Sequence, residues 1–188
     1  VVQGYVEMLP TDVVKYELDK SSGFLMVDRP QRTTSSPPAL YGFIPRTYCD
    51  VEVAKRCPGV EVADQDPLDI CVYSERHINR SDIVLNARVV GGIQMIDGGE
   101  ADDKIVAILD GDNIWGNAQD ITDLPDIKIE RLQHYFSTYK MIPGKEIDIK
   151  VDHVYGREEA LKVIEAAEKD YWTNYSDLHD QARANTGS

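Results

Sequence analysis

The feature that most limits the fold of this chain is a long run of strand-forming residues, 83–96, which is interrupted by Gly91-Gly92. Glycines inside a strand pattern mark a bulge or a sharp bend. Bends of this kind allow a small sheet to curl into a barrel. Further runs with strand character cover residues 13–18, 24–27, 70–73, 104–109 and 147–151. The N-terminal part of the chain is therefore predicted to be rich in strands.

Two helices are predicted after this strand-rich part. Asp123-Leu124-Pro125 is a helix start signal, and apolar residues then recur at three- and four-residue steps as far as Tyr139. A second helix is predicted from Arg157 to about Tyr175, and residues 182–188 are predicted to form a frayed tail. We find no internal repeat and no linker in the sequence. We therefore predict a single α+β domain over residues 1–188, in which a small antiparallel β-barrel carries two main helices.

The composition narrows the class of function. The formal net charge is −13, from 20 basic and 33 acidic residues, which argues against nucleic acid or an anionic membrane as a partner. No apolar stretch is long enough to span a membrane. The first residues show neither a signal peptide nor an initiator Met. Three cysteines without a CxxC pair are typical of reduced thiols, so we expect a cytoplasmic protein.

Two acidic loops carry the most distinctive chemistry. Asp64, Asp66 and Asp69 flank Pro67, directly before an apolar strand, and loop 97–103 holds four more acids between two apolar strands. Crowded carboxylates repel one another unless protons or cations intervene. Oxygen ligands alone suit a hard cation such as Mg²⁺ or Ca²⁺. The competing interpretation of the first loop is an ordinary turn, because Asp and Pro are both favoured in turns.

Cationic and phenolic side chains are spread along the same chain. They are Lys15, Arg29, Tyr41, Lys104, Tyr139 and Lys140. Arg and Lys bind phosphate oxygens, while Mg²⁺ binds a few carboxylates and keeps phosphate oxygens and waters as its other ligands. The combination suggests a polyphosphate anion that is bridged to the protein by metal ions. Taken singly, each of these residues could also be a solvated strand residue, a core aromatic or the end of a helix.

Six segments of the sequence carry a further pattern. In chain order they are KYELDK at 15–20, VDR at 27–29, YGFIP at 41–45, DQDPLD at 64–69, MID through DDK at 95–104 and HYFSTYK at 134–140. Together these segments resemble the soluble family I inorganic pyrophosphatases. The resemblance implies an OB-like, five-stranded barrel flanked by helices and the hydrolysis of inorganic pyrophosphate to two phosphates. It also implies dependence on Mg²⁺, with Mn²⁺ or Zn²⁺ as substitutes, and a homo-oligomer that is a hexamer rather than a dimer.

The same resemblance assigns a role to each matching residue. Asp66 would be the general base, which accepts a proton from a water that bridges two metal ions. Two metal ions flanking a water lower its pKa enough to give hydroxide at neutral pH, and phosphoryl transfer needs positioning and charge neutralisation more than covalent chemistry. The metal ligands would be Asp64, Asp69, Asp97 and Asp102, the substrate ligands Lys15, Arg29, Tyr41, Lys104, Tyr139 and Lys140, and the supporting acids Glu7 and Glu17.

Two positions depart from the family pattern, and two other functions stay open. Gln65 stands where a small residue, typically Gly, is usual, and Leu40 stands where Asn is usual. We expect Gln65 to shift metal preference before it abolishes activity. The first alternative function is a phosphohydrolase of short polyphosphate or nucleotide. The second is a non-enzymatic OB module for single-stranded nucleic acid, which the net charge of −13 disfavours.

Overall fold

The computed structural model describes the backbone of residues 1–186 and the side chains of residues 1–177. Strands dominate the first two thirds of the chain, and the two long helices follow. The strands are β1 (Val2–Met8), β2 (Val14–Leu18), β3 (Leu25–Pro30), β4 (Leu40–Phe43), β5 (Asp69–Tyr73), β6 (Ile83–Asp97), β7 (Glu100–Ala101), β8 (Lys104–Leu109) and β9 (Ile149–Gly156). The helices are α1 (Val51–Ala54), α2 (Asp126–Thr138) and α3 (Arg157–Thr186), with a 3₁₀ turn at Ile121–Asp123.

Five strands close into a barrel. Each of β1, β4, β5, β8 and β6 pairs with the next, and β6 returns to pair with β1. The predicted five-stranded barrel is therefore confirmed. The prediction that it is antiparallel throughout is wrong for one pair, because β5 and β8 run parallel. Both strands run antiparallel to β6, which lies between them in sequence. The chain therefore reverses direction from β5 to β6 and again from β6 to β8.

The bend that the glycine pair predicts is present in β6. The pairing of β6 with β8 shifts register between Val89 and Gly91, so one strand can turn the corner of the barrel. A Cβ atom at Gly92 would lie 2.4 Å from the ring of Tyr155 on β9. Only glycine fits this close approach of β9 to the bent strand.

The two long helices pack on opposite faces of the sheet. Along β8, Ile105 and Ala107 belong to the apolar cluster that contains α3, whereas Val106 and Ile108 belong to the cluster that contains α2. Successive side chains of a strand point to opposite faces, so β8 is buried on both sides. The predicted arrangement of two main helices on a barrel is confirmed.

Two local predictions differ from the structure in the middle of the chain. Residues 50–61 look like a surface excursion in the sequence, yet they contain α1 and the buried Val53 and Cys57. The Asp170 carboxylate on α3 holds α1 in place, since it accepts a hydrogen bond of 3.0 Å from the backbone N–H of Val53. Helix α2 begins at Asp126, because a separate 3₁₀ turn capped by Asp120 precedes it.

The C-terminal helix is longer than the sequence pattern indicates. Helix α3 continues to Thr186 instead of ending near Tyr175. Residues 182–186, which belong to the predicted tail, lie within this helix, and residues 187–188 lie outside the described residues. Within the described part of the chain, none of the helices combines the length and the apolar character that a membrane crossing requires.

Candidate active site

One cleft of about 950 Å³ opens at the end of the barrel where the acidic loops lie. Every residue to which the sequence analysis gave a functional role contributes to its lining. These residues are Glu7, Lys15, Glu17, Arg29, Tyr41, Asp64, Asp66, Asp69, Asp97, Asp102, Lys104, Tyr139 and Lys140. They come from strands β1–β6 and β8, from the loops between them and from the end of α2.

The two acidic loops meet in space. The backbone N–H of Asp64 donates to the carbonyl of Ala101 over 3.3 Å, and the N–H of Ala101 donates to the carbonyl of Val62 over 3.0 Å. In the parallel pair of β5 and β8, Asp69 lies opposite Lys104. Carboxylates that are about thirty residues apart in sequence therefore share one end of the cleft.

Lys104 lies at the buried floor of this end. Its ammonium forms ion pairs with the carboxylates of Asp69 and Asp102. The residue is only 2% exposed. Burial opposes its charge, but Asp102 and Asp69 outweigh that effect and hold the pKa of Lys104 well above its usual value. The hydroxyl of Tyr41 donates to the Asp69 carboxylate over 2.5 Å, so a phenol joins the same group.

The acidic end of the cleft carries more negative charge than its lysine can balance. Burial and the nearby carboxylates of Asp102 and Asp69 raise the pKa of Asp64 to about 8. Burial also raises the pKa of Glu7 to about 7, with smaller contributions from Asp69 and Glu17. A cation that binds beside such carboxyl groups stabilises their ionised form.

Most cations on the rest of the cleft wall are held by carboxylates. Lys15 pairs with Glu17 and lies 3.4 Å from the Asp28 carboxylate. Arg29 also pairs with Asp28. The other two pairs in the cleft are Lys20 with Asp66 and Lys140 with Asp97. An anionic ligand would therefore have to compete with these carboxylates for the cations.

Asp66 and Gln65 stand on a turn that is pinned by backbone hydrogen bonds. The N–H of Asp66 donates to the Asp64 carboxylate over 3.1 Å, and its carbonyl accepts from the N–H of Cys49 over 2.8 Å. Gln65 has φ +60, which is the left-handed conformation that favours glycine. Its side chain is exposed and is absent from the lining of the cleft. A glycine would adopt this backbone conformation with less strain than Gln65 does.

Leu40, the second departure from the family pattern, belongs to the core. It is 4% exposed and pairs with Val72 across β4 and β5. The cleft lining includes Tyr41 but not Leu40. Successive residues of a strand face opposite sides, so this substitution changes the packing behind the site and leaves the polar wall intact.

Several residues of the cleft had no assigned role in the sequence analysis. Glu100 belongs to the second acidic loop, Lys20 ends the KYELDK segment and Arg46 follows the YGFIP segment, so adjacency in sequence could have found them. Tyr171 and Tyr175 line the cleft from α3, and no local pattern indicates this. The unassigned polar and aromatic lining residues are Lys20, Gln31, Phe43, Arg46, Thr47, Tyr48, Glu100, Tyr135, Phe136, Tyr171 and Tyr175.

The donor set suits a hard cation, although it is not arranged as a finished cage. Asp64, Asp69 and Asp102 offer only oxygen atoms, as Mg²⁺ prefers, and burial together with the nearby Asp102 carboxylate raises the pKa of Asp64. Within the side chains of residues 1–177, no group of three or more acidic, His or Cys residues has the geometry of a metal site. The ammonium of Lys104 occupies the space between two of the carboxylates.

Residues 4–172 match the family model described as inorganic pyrophosphatase. The chain belongs to the inorganic pyrophosphatase family. The inorganic pyrophosphatase of Chlamydia caviae is 46% identical over 182 residues, which covers 91% of this chain and 84% of that protein. A soluble inorganic pyrophosphatase of Chlamydomonas reinhardtii is 35% identical over 162 residues, with 86% and 76% covered. The predicted family and enzyme class, an inorganic diphosphatase, are confirmed.

Solved pyrophosphatase structures have the same fold. The inorganic pyrophosphatase of Helicobacter pylori superposes with a TM-score of 0.77 at 33% identity, covering 90% of this chain and 92% of that chain. The Thermus thermophilus inorganic pyrophosphatase gives a TM-score of 0.77 at 30% identity, with 90% of each chain covered. The predicted OB-like barrel is thus confirmed for this pyrophosphatase.

Proposed function

We propose that this pyrophosphatase hydrolyses inorganic pyrophosphate to two phosphates with Mg²⁺ as its cofactor, and that Asp66 is the general base. The observation that carries the proposal is the convergence of two acidic loops and five cationic side chains, Lys15, Arg29, Lys104, Lys140 and Lys20, on one cleft. A pyrophosphate anion needs both kinds of group, since its charge must be neutralised on the reacting and on the leaving phosphate.

Asp64, Asp69 and Asp102 would hold the metal ions at the buried end, together with Asp97 at the edge. When bound, Mg²⁺ supplies positive charge for the phosphate oxygens and lowers the pKa of a coordinated water. The raised pKa of Asp64 supports this assignment, because the burial and crowding that cause it are relieved by a cation. Mn²⁺ and Zn²⁺ are proposed as substitutes.

Asp66 is suited to accept a proton from the attacking water. Its side chain is more than half exposed within the cleft, and its backbone is fixed by hydrogen bonds on both sides. A carboxylate in this position can accept a proton without first breaking a buried hydrogen bond. The Asp66 carboxylate forms an ion pair with Lys20, whose side chain is also exposed.

Phosphate binding would fall to the cations and phenols around this base. Lys15, Arg29 and Lys140 can exchange their present carboxylate partners for phosphate oxygens. Tyr41 and Tyr139 line the same cleft and bring hydroxyl groups to it. Glu7 and Glu17 act as supporting acids, Glu7 by accepting the N–H of Leu18 over 2.7 Å and so tying β1 to the hairpin of β2 and β3.

The remaining parts of the proposal concern the setting of the enzyme. We propose a cytoplasmic homo-oligomer, a hexamer rather than a dimer, that has no nucleic-acid or membrane partner. The net charge of −13 supports the last point, since it repels other polyanions. Light scattering coupled to size exclusion tests the subunit number directly.

The decisive experiment measures phosphate release from pyrophosphate while Mg²⁺ is titrated from zero, with excess chelator as the starting point. We expect no turnover in chelator and a saturable rise as Mg²⁺ is added. Tripolyphosphate and ATP serve as competing substrates, and a labelled oligonucleotide tests the binding alternative. Full activity in chelator would contradict the metal assignment, and faster turnover of tripolyphosphate or ATP would favour the broader phosphohydrolase.

A further inference from the structure

The outer wall of the cleft contains a cation that differs from the others. Arg46 lines the cleft, its side chain is exposed, and Ile44 and Pro45 separate it from the end of β4. Among residues 1–177 no carboxylate lies within ion-pairing distance of its guanidinium. The other cations of the cleft, at positions 15, 20, 29, 104 and 140, each pair with at least one carboxylate.

The backbone at Arg46 is held in an unusual conformation. Its φ is +63, and a long side chain in the left-handed region is uncommon. Neighbouring hydrogen bonds enforce it: the Thr47 hydroxyl donates to the carbonyl of Ile44 over 2.6 Å and accepts from the N–H of Leu68 over 2.8 Å. The N–H of Tyr48 donates to the carbonyl of Ala167 on α3 over 3.0 Å. The loop is therefore anchored on both sides of Arg46.

The negative net charge of the molecule makes an unpaired arginine in the cleft important for attracting an anion. The chain carries a net charge of −13, so a pyrophosphate anion approaches a surface that on average repels it. Clefts with unpaired charge focus the local field and raise the rate of encounter with ions of opposite sign. Arg46 is positive and exposed, forms no ion pair within residues 1–177, and lines the same cleft as Tyr48 and Tyr175.

We infer that Arg46 is a phosphate-capture residue, which binds a phosphoryl anion at the outer end of the cleft before and after the reaction. This inference rests on the proposed pyrophosphatase activity and adds a specificity-determining residue to it. The guanidinium can meet an incoming pyrophosphate or a departing phosphate with two parallel N–H donors. Arg46 can bind this anion without first releasing a carboxylate, whereas the other cations of the cleft are each paired with a carboxylate.

The test compares Arg46→Gln with wild type. Gln is compatible with the backbone here, since Gln65 of the same chain has nearly the same φ. We expect the KM for pyrophosphate with Mg²⁺ to rise about fivefold while kcat stays within about twofold. The fall of kcat/KM with added salt should be shallower in the variant, because part of the steering charge is gone. Calorimetry should show an inorganic phosphate Kd raised by a similar factor.

Three controls make the outcome decisive. Arg80→Gln makes the same change in net charge at an exposed arginine outside the cleft lining, and it should behave as wild type. Arg46→Lys should retain most of the affinity. Arg46→Asn, in which Asn tolerates the left-handed conformation, replaces Arg46→Gln if that variant does not fold.

The inference is overturned if neutral variants at Arg46 leave both KM and the phosphate Kd unchanged, if kcat falls while KM does not, or if Arg80→Gln produces the same shift. A difference in KM alone marks capture of the substrate, and a difference in the phosphate Kd alone marks capture of the product. If wild type does not turn over pyrophosphate, the proposed function fails, and the phosphate-binding measurement then decides on Arg46 by itself.

Discussion

Lys104 and Asp102 form an ion pair from which water is almost excluded, since their side chains are 3% and 12% exposed. Removing the cation should leave Asp102 and Asp69 buried without a counterion. We predict that Lys104→Met lowers the free energy of unfolding by about 3–5 kcal/mol, measured by urea denaturation in the presence of chelator. Lys162→Met, which removes a solvent-exposed pair with Glu158, should change it far less, because water screens an exposed pair.

Magnesium should offset part of this loss. If the carboxylates beside Lys104 are metal ligands, Mg²⁺ should stabilise Lys104→Met more than it stabilises wild type, because the ion takes over the role of the ammonium. The measurement is the same denaturation curve at several Mg²⁺ concentrations. Equal stabilisation of both proteins would mean that the ion binds elsewhere.

The proposed base can be tested without disturbing the fold. Asp66 is exposed within the cleft, and Asp66→Asn keeps its shape while removing its charge. We predict that turnover of pyrophosphate falls by about 10²- to 10⁴-fold, while calorimetry shows Mg²⁺ binding largely retained. Asp110→Asn, at an exposed carboxylate outside the cleft, should have wild-type turnover. Near-normal turnover in Asp66→Asn would remove this residue from the mechanism.

The sequence predicted much of the site because strand ends and loops carry local signals. The acids at 64–69 stand directly before an apolar strand, and the cations at Lys15 and Arg29 flank a recognisable hairpin. Their meeting in one cleft follows from the closure of the barrel, which the glycine pair in β6 indicates. Local patterns thus predict which residues stand at strand ends, and the topology brings those ends together.

Features that depend on long-range packing could not be predicted in this way. The parallel pairing of β5 with β8 depends on the path of β6, and a strand's residues do not record the direction of its neighbour. The buried position of Val53 depends on Asp170, more than one hundred residues later in the chain, which accepts its N–H. The left-handed φ of Arg46 and Gln65 is set by hydrogen bonds from other segments, so neither residue type predicts it.

The buried carboxyl of Asp103, at the end of the second acidic loop, should make the free energy of unfolding depend on pH. Burial raises the pKa of Asp103 to about 6 although Tyr155 donates a hydrogen bond of 2.8 Å to it, and its Oδ1 atom is buried without a partner. The folded pKa is above the unfolded value, so the fold favours the protonated form. This contribution to stability is complete below about pH 4 and is lost as the pH rises through about 6.

We therefore predict that Asp103→Asn, which cannot ionise, is more stable than wild type by about 2–3 kcal/mol at pH 8 and differs little at pH 4. Urea denaturation across this range gives the two curves. Tyr155→Phe should be less stable than wild type at pH 8, because the ionised Asp103 loses the hydrogen bond that the Tyr155 hydroxyl donates. A constant difference between Asp103→Asn and wild type at all pH values would contradict the titration of this carboxyl.

Gln65 provides a test of backbone strain that is separate from chemistry. A non-glycine residue in the left-handed conformation destabilises the folded state by about 1–2 kcal/mol. Glycine avoids this strain, but its greater freedom in the unfolded chain offsets up to about 1 kcal/mol of the benefit. Gln65→Gly should therefore raise the free energy of unfolding by about 0.5–1 kcal/mol. Turnover should be unchanged, because the side chain does not line the cleft.

The matched control is Gln133→Gly in α2, where the backbone is helical and glycine should lower stability by about 1 kcal/mol. Opposite signs for the two Gln→Gly changes would identify φ at position 65 as the cause. The family usually has a small residue at position 65, either because of the backbone conformation or because a longer side chain would reach the metal ligands. Metal titrations of the Gln65→Gly enzyme distinguish these two explanations. An unchanged Mg²⁺ requirement assigns it to the backbone alone, whereas a shifted requirement would mean that the Gln65 side chain reaches the metal ligands in solution.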